Sequence, residues 1–326
     1  MTQPNTSQHA DRVFAVLRTS TEPTGIAASW RRCLLDYHLD PERSTPPAVL
    51  SGAELRYARG HAGRLMRVAD PELDRLHGLV GGIGYSVLMT DTQGVVIARR
   101  VMDADEPGCR HWSLWTGAVW NEAVEGTNGV GTCLAEEGAV TVHRDQHFRK
   151  RHTRLTCTVA PLFDVAGKLT GALDISSFRP DSTGRILPLA MAAVQEAARR
   201  IEVACFHDVF SRCLVLALPP SGDAQLSVPL LALDADRRIV GATRAARALL
   251  HLGDASVEQG TSIGEALSGG RIGPESLGAA ERTVVSGALA QAQGNVSHAA
   301  KLLGISRATL HRKIRSLSLQ REDAFR

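Results

Sequence analysis

Apolar positions recur at two different periods along this chain, and the changes of period mark its parts. Residues 26–37 carry a short helical pattern, a proline-rich break follows from Pro41 to Pro47, and a longer helical stretch runs from 52 to about 81. At Tyr85 the period becomes two. Residues 85–91 then predict a strand, Thr92-Gln93-Gly94 a turn, and 95–101 its hairpin partner. Further strands are expected at 139–143, 156–163 and 169–176, the last pair joined by 164–168. A helical run from about 184 to 207 closes this part, with Pro188 tolerable only in its first turn. Helix, antiparallel strands, a mobile middle, strands and helix make an α+β fold laid out as a ligand sensor.

The C-terminal pattern is wholly helical. Residues 281–292 set Val284, Val285, Ala288 and Leu289 on one side. Gln293-Gly294-Asn295 breaks that helix, with Gly294 suited to its end and Asn295 to capping the next. The second helix, 296–303, turns Ala299, Ala300, Leu302 and Leu303 inward, and Gly304 stops it. Ser306 caps a third, 307–317, with Leu310, Ile314 and Leu317 inward and Arg307, Thr309, Arg312 and Lys313 outward. Two helices about a short glycine turn, the second with a basic polar face, predict a helix-turn-helix whose second helix enters the major groove.

Between these parts lies a shorter unit. Residues 219–223 read as a linker, 228–234 and 239–241 as strands about a turn at 235–236, and 243–250 as a helix. This order resembles the opening of a PAS domain, but Gly269-Gly270 and Gly273-Pro274 lead straight into the C-terminal helices, so a truncated spacer without a ligand is expected. The predicted division is an N-terminal helical segment at 1–50, a sensor at 51–210, the spacer at 224–270 and the DNA-binding head at 278–320.

Composition narrows the class. The 326 residues suit about two domains, and 44% hydrophobic with 22% charged residues rules out wholesale disorder. Aromatics are only 4%, so the cores are aliphatic. No uncharged apolar run approaches the ~18 residues of a membrane helix, and the first residues lack the basic start and apolar core of a secretory signal, which predicts a cytoplasmic protein without a membrane partner. The net charge of +3 is unevenly spread. Residues 278–326 hold eight Arg/Lys and three Asp/Glu, hence +5, leaving −2 for the rest, and no acid lies between Glu281 and Glu322. Such a block suits a polyanion such as double-stranded DNA.

The string GNVSHAAKLLGISRATLHRKIRSLSL, from Gly294 on, resembles the DNA-binding domain of Fis-type regulators. Position then assigns roles: Ser306, Arg307 and Thr309 to base edges, Arg307 to guanine, Asn295 and Ser297 to phosphate, and Arg312 and Lys313 to either. The resemblance also implies a homodimer. Farther forward, Ser29-Trp30-Arg31-Arg32-Cys33, Asp91-Thr92-Gln93-Gly94, the stretch from Trp120 to Thr132, His147-Phe148, Cys157 to Pro161 and Gly171 to Ser176 together resemble the GAF sensor of the acetoin-catabolism regulator family, over roughly residues 25–205. Many relatives in that family carry an AAA+ ATPase between sensor and head. Here only about 70 residues intervene, without a Walker A lysine, which implies a non-enzymatic regulator acting on a promoter by contacting or occluding RNA polymerase.

The family words suggest where an effector would sit. Gly126-Thr127-Asn128-Gly129-Val130-Gly131 lacks the lysine of a phosphate loop, so its glycines are expected to fold a loop over a pocket lined by Trp120, Glu122, Thr127, Asn128, Thr132 and Phe148. The alternative is that Trp112, Trp115 and Trp120 are simply core. A metal- or redox-responsive sensor is a second reading, since Cys109, His111, Cys133, His143, His147, His152 and Cys157 share this part, although no CxxC occurs and no cofactor is required. An architectural DNA-bending protein with a vestigial sensor is a third.

Overall fold

The computed structural model describes residues 8–18, 25–179, 184–219, 228–269, 274–292 and 294–317. The expected linker residues 220–223, the glycines at 270 and 273, Gln293 of the helix-turn-helix turn and Arg321 lie outside these. The chain divides into two compact units, one formed by residues 1–163 and 169–205, the other by 164–168 and 206–326.

The first unit is built on an antiparallel sheet of β1 (Ser86–Thr90), β2 (Val96–Arg100), β3 (Val140–His143), β4 (Thr156–Phe163) and β5 (Leu169–Ser177), in the order β2-β1-β5-β4-β3. Alternation of side chains gives the sheet two different faces. Val87, Met89, Ala160, Leu162, Leu173 and Ile175 pack against α4 (Gly63–Val80) and α8 (Leu187–Val209), which contribute Leu73, Leu76, Val194, Ala197 and Ile201. Leu88, Cys157, Val159 and Ala172 take the opposite face, under α5 (Glu106–His111) and α7 (Gly129–Glu136), with α6 (Glu122–Glu125) packed on α7. The expected hairpin at 92–94 is present. Asp91 accepts from the amides of Gln93 and Val95, each at 2.9 Å, and Gly94 takes φ +75°.

Three elements depart from the sequence expectation. The helix foreseen over 52–81 is two helices, α3 (Gly52–His61) and α4, separated at Ala62. The middle expected to be mobile is ordered into α5, α6 and α7. The N-terminal segment is no separate part: α1 (Gln8–Ala15) and α2 (Ile26–Leu35) belong to the first unit, where Val13, Val16, Trp30 and Cys33 enclose Phe148.

The second unit opens with a strand the pattern did not reveal, β6 (Leu214–Ala217), which pairs with β7 (Leu230–Leu233), itself paired with β8 (Ile239–Ala242). Helices α9 (Arg244–Leu250), α10 (Asp254–Glu258) and α11 (Ile263–Gly269) complete the spacer, with Leu231, Leu233, Ile239, Ala246 and Leu250 at its centre. The head is α12 (Pro274–Gln291), α13 (Val296–Leu302) and α14 (Arg307–Ser316), closed around Val285, Leu289, Ala299, Ala300, Leu310 and Leu317. Gly294 and Gly304, both at positive φ, make the turns between these helices. Among the described residues no helix is long and apolar enough to cross a membrane.

Candidate functional site

In the head, both expected caps are formed. Asn295 accepts from the amide of His298 at 3.1 Å, and Ser306 from that of Thr309 at 3.1 Å, with the Ser306 and Thr309 hydroxyls 2.8 Å apart. These bonds satisfy helix-start amides that have no partner within their own helix. Asn295, Ser297, Ser306, Arg307 and Arg312 are exposed and Thr309 is half-buried. Leu310 and Leu317 root α14 in the core, so its first turn stands clear with Arg307 at its start. Lys313 is placed differently from the outward face expected for it. Three residues after Leu310 and four before Leu317, it faces α12, where its Nζ pairs with Glu281, leaving the side chain 23% exposed.

In the sensor, the residues expected to line one pocket serve two different places. Glu122, Thr127 and Thr132 converge on Ser29 of α2. The Ser29 hydroxyl donates to Glu122 Oε2 at 2.9 Å and lies 2.6 Å from Thr127 Oγ1 and 3.3 Å from Thr132 Oγ1. One turn on, Arg32 grips both oxygens of the same carboxylate at 2.6 and 3.1 Å, and this hydrogen bonding raises its pKa further. Ser29, Glu122, Thr127 and Thr132 are all buried, so this network fastens α2 to the sensor. Phe148 lies on the same side, beneath α1 and α2.

Asn128 has a local role. Its side-chain oxygen accepts from the Gly131 amide at 2.9 Å and its amide donates to the Gly126 carbonyl at 2.8 Å, which caps α7 and occupies both ends of the group. The glycines around it permit close approach rather than a loose loop. A Cβ on Gly129 would stand 2.5 Å from Cys157 Cβ, and one on Gly126 the same distance from the Phe148 ring. Helix α7 therefore lies directly on β4.

Trp120 is the one of the six that joins the core between sheet and helices, with Leu88, Leu114, Val130 and Val159; its indole N–H donates to the Ser113 carbonyl at 3.0 Å. Trp115 instead carries the Arg99 and Arg110 guanidiniums at 3.5 and 3.8 Å from its ring centre. An open groove of about 900 Å³ runs along α3 and the β1–β2 turn, lined by residues including Tyr57, His61, Asp91 and Gln93, and none of the six lies on it.

Buried polar groups that the sequence did not assign to the pocket surround the Trp120 core. Asp174, Thr90, His152, Glu125 and Arg149 are all buried. Burial pushes the Asp174 carboxyl up to about 7, against a weaker opposing hydrogen bond from Ser176. Burial likewise drives His147 down to about 4 and His152 well below its usual value, so both rings are neutral. Cys33 is raised to about 11, and Cys109, Cys133 and Cys157 are raised too, in each case chiefly by desolvation. Thiols held protonated in this way make poor nucleophiles and metal ligands. Among the described residues no group of three or more His, Cys, Asp or Glu is arranged to hold a metal ion.

The chain thus carries a capped basic helix on its own core and a unit built of an antiparallel sheet and helices, and sequence comparison finds a counterpart for each. Residues 64–205 match the GAF domain and residues 276–317 the bacterial regulatory protein, Fis family, leaving 70 residues between them. The chain is therefore a GAF-domain protein with a Fis-type DNA-binding head, and such a head implies binding to double-stranded DNA. Its relatives include proteins named as acetoin catabolism regulators. It is 40% identical over 227 residues to the acetoin catabolism regulatory protein of Cupriavidus necator, covering 69% of this chain and 34% of that protein. It is 27% identical over 176 residues to the acetoin dehydrogenase operon transcriptional activator of Bacillus subtilis, covering 54% of this chain and 29% of that one. The chain thus spans about a third of the length of these relatives. In fold it is similar to the crystallised E. coli DhaR(N)–DhaL complex, with a TM-score of 0.51 at 19% identity over 74% of this chain and 80% of that one.

Proposed function

We propose that the protein is a ligand-responsive transcription regulator, in which a small effector held by the GAF domain alters the affinity of the Fis-type head for operator DNA without ATP hydrolysis. The observation that carries this reading is the α14 start, where Ser306 caps a first turn that exposes Arg307 beside a buried Leu310 anchor. Ser306, Arg307, Thr309 and Arg312 meet the major groove and Asn295 and Ser297 the phosphates; Lys313 supports the head through Glu281. Trp120 forms a wall of the effector site, while Glu122, Thr127, Asn128, Thr132 and Phe148 hold the structure around it. The regulator acts as a homodimer in the cytoplasm, contacting or occluding RNA polymerase.

Relatives named for acetoin catabolism and for a propane 2-monooxygenase operon make small oxygenated carbon compounds the first effectors to test. The test is fluorescence anisotropy of the full chain on promoter fragments beside its own gene, with and without 3-hydroxy-2-butanone, 2,3-butanediol or propan-2-ol. One of these should shift the operator Kd by at least about fivefold, as allosteric coupling commonly does. Binding that is indifferent both to DNA sequence and to every compound would sink the reading.

A further inference from the structure

A cavity lies outside the sensor, within the second unit, between the strands of the spacer and the helices of the head. On the spacer side it is walled by Leu214 and Leu216 of edge strand β6, which alternation puts on one face, and by Leu218 just past its end. On the head side Val284 of α12 and Leu303 and Ile305 of the α13–α14 turn line the same space. These walls leave about 260 Å³. About 150 Å³ between aliphatic walls is already enough for a benzene ring. Strand β6 is the one that the apolar pattern did not reveal, and without it the spacer reads as free of any ligand.

Three charged side chains reach this space, Arg237, Glu281 and Lys313. Two of them cancel, because Lys313 pairs with Glu281. Arg237 is exposed and has no ion pair among the described residues. It stands in the β7–β8 turn at φ +61°, where an L side chain is strained, and held strain of this kind gathers at ligand sites. The backbone around it is fixed. Asp234 Oδ1 accepts from the amides of Asp236 and Arg238, each at 2.9 Å, and the Arg237 carbonyl accepts from the Ile263 amide at 3.3 Å. We propose that this cavity binds a small monocarboxylate with an aliphatic or aromatic body, its tail among the leucines and its carboxylate on Arg237. The site is separate from the effector held by the GAF domain and does not rest on that reading.

Three features select that chemistry. The aliphatic walls demand an apolar body, and their volume limits it to one ring or a branched chain of similar size. The unpaired guanidinium presents a planar fork that matches the two oxygens of a carboxylate and repels an ammonium. A second negative charge on the ligand would lie among apolar side chains without a partner, since Lys313 is already spent on Glu281. An occupant touches both the spacer and the head, and on the head side it abuts Ile305, the residue before the Ser306 cap of α14.

The test is calorimetric titration of the full chain, without DNA, with benzoate, phenylacetate, 4-methylpentanoate, benzamide and benzylamine. At least one of the carboxylates should bind, benzamide about tenfold more weakly or worse, and benzylamine not at all. Arg237→Gln, at an exposed position, should remove the advantage of the carboxylate while the melting temperature stays unchanged. Val284→Trp, which fills the space, should abolish binding of carboxylate and amide alike; if that variant melts early, Leu214→Trp on the exposed side of β6 takes its place. No binding by any carboxylate, preference for the amide or the amine, or affinity unchanged in both Arg237→Gln and the filled variant overturns the site. Affinity lost in the filled variant but unchanged in Arg237→Gln upholds the cavity and overturns the carboxylate contact.

Discussion

Replacing Asp174 by asparagine should make the protein less sensitive to alkaline pH, and the size of the effect follows from the burial of this side chain. The carboxyl moves from an ordinary 3.8 to about 7 on folding because it loses water and gains only the Ser176 hydroxyl. A raised acid pKa means that the folded state binds its proton more tightly than the unfolded chain does. The associated stability is fully present below pH ~4, drains away between about 4 and 7, and is gone above 7. About three pH units at ~1.4 kcal/mol each give roughly 4 kcal/mol across that window. The groups nearest in charge, Cys133 on α7 and Cys157 on β4, are pushed upward themselves and stay neutral throughout, so they add no slope. Asp174→Asn removes the titration. At pH 8 the variant should exceed the wild type by roughly 2–4 kcal/mol, or about 5–15 °C in Tm for a unit of this size, and the gap should close towards pH 5. Calorimetric melts of both proteins from pH 5 to 8.5 check it. A difference that does not vary with pH, or a variant less stable than the wild type at pH 8, refutes the reasoning.

Three other substitutions probe the remaining contacts. Arg307→Ala should weaken operator binding by roughly 5- to 150-fold and relax base preference at one position per half-site, with scrambled DNA much less affected; equal loss on both duplexes in anisotropy titrations makes Arg307 a phosphate contact. Glu122→Ala strips Arg32 and Ser29 of their shared acceptor and should cost about 3 kcal/mol, with α2 becoming the first site of limited proteolysis; an unchanged melt and cleavage pattern contradicts the network. Lys313→Ala should leave the salt dependence of DNA binding almost unaltered, because its ammonium is already paired with Glu281; a salt slope lowered by about one shows instead that it reaches phosphate.

How much of this was legible from the sequence depended on the range of the interactions involved. The hairpin at Asp91–Gly94 was readable because an aspartate, two following amides and a glycine at positive φ lie within five residues. The caps at Asn295 and Ser306 were equally local. Strand β6 escaped because its four residues follow a long helix and become a strand only by pairing with β7. Ser29 was visible as part of a family word, but its task depends on Glu122, Thr127 and Thr132, more than ninety positions away. The same holds for Asp174. It sits in an ordinary strand pattern, and the lack of a partner for one of its two oxygens emerges only when the neighbouring strands pair with β5 and bury it. Lys313 shows the limit of assigning a helix face by eye: it flanks the apolar stripe of α14, and Glu281 of another helix decides which way it leans.

The glycines before and within α7 bear on how related chains diverge. Each works as half of a pair: Gly129 leaves room for Cys157 and Val159, Gly126 for Phe148, and Gly131 for the backbone at Glu122. A methyl group at 129 would meet the Cβ of Cys157 itself, so shrinking the side chain to anything but glycine gives no relief, and one at 126 would meet the Phe148 Cβ as well as its ring, at a positive φ that L side chains rarely adopt. At 131 the obstacle is main chain, which no exchange of side chains removes. Among homologues, positions 126, 129 and 131 should accordingly all stay glycine, even where 148 and 157 change. The glycine-rich word then records ancestry through the shape of an internal contact, and a search that treats it as a nucleotide signature will group this chain with proteins that share its spelling but not its history.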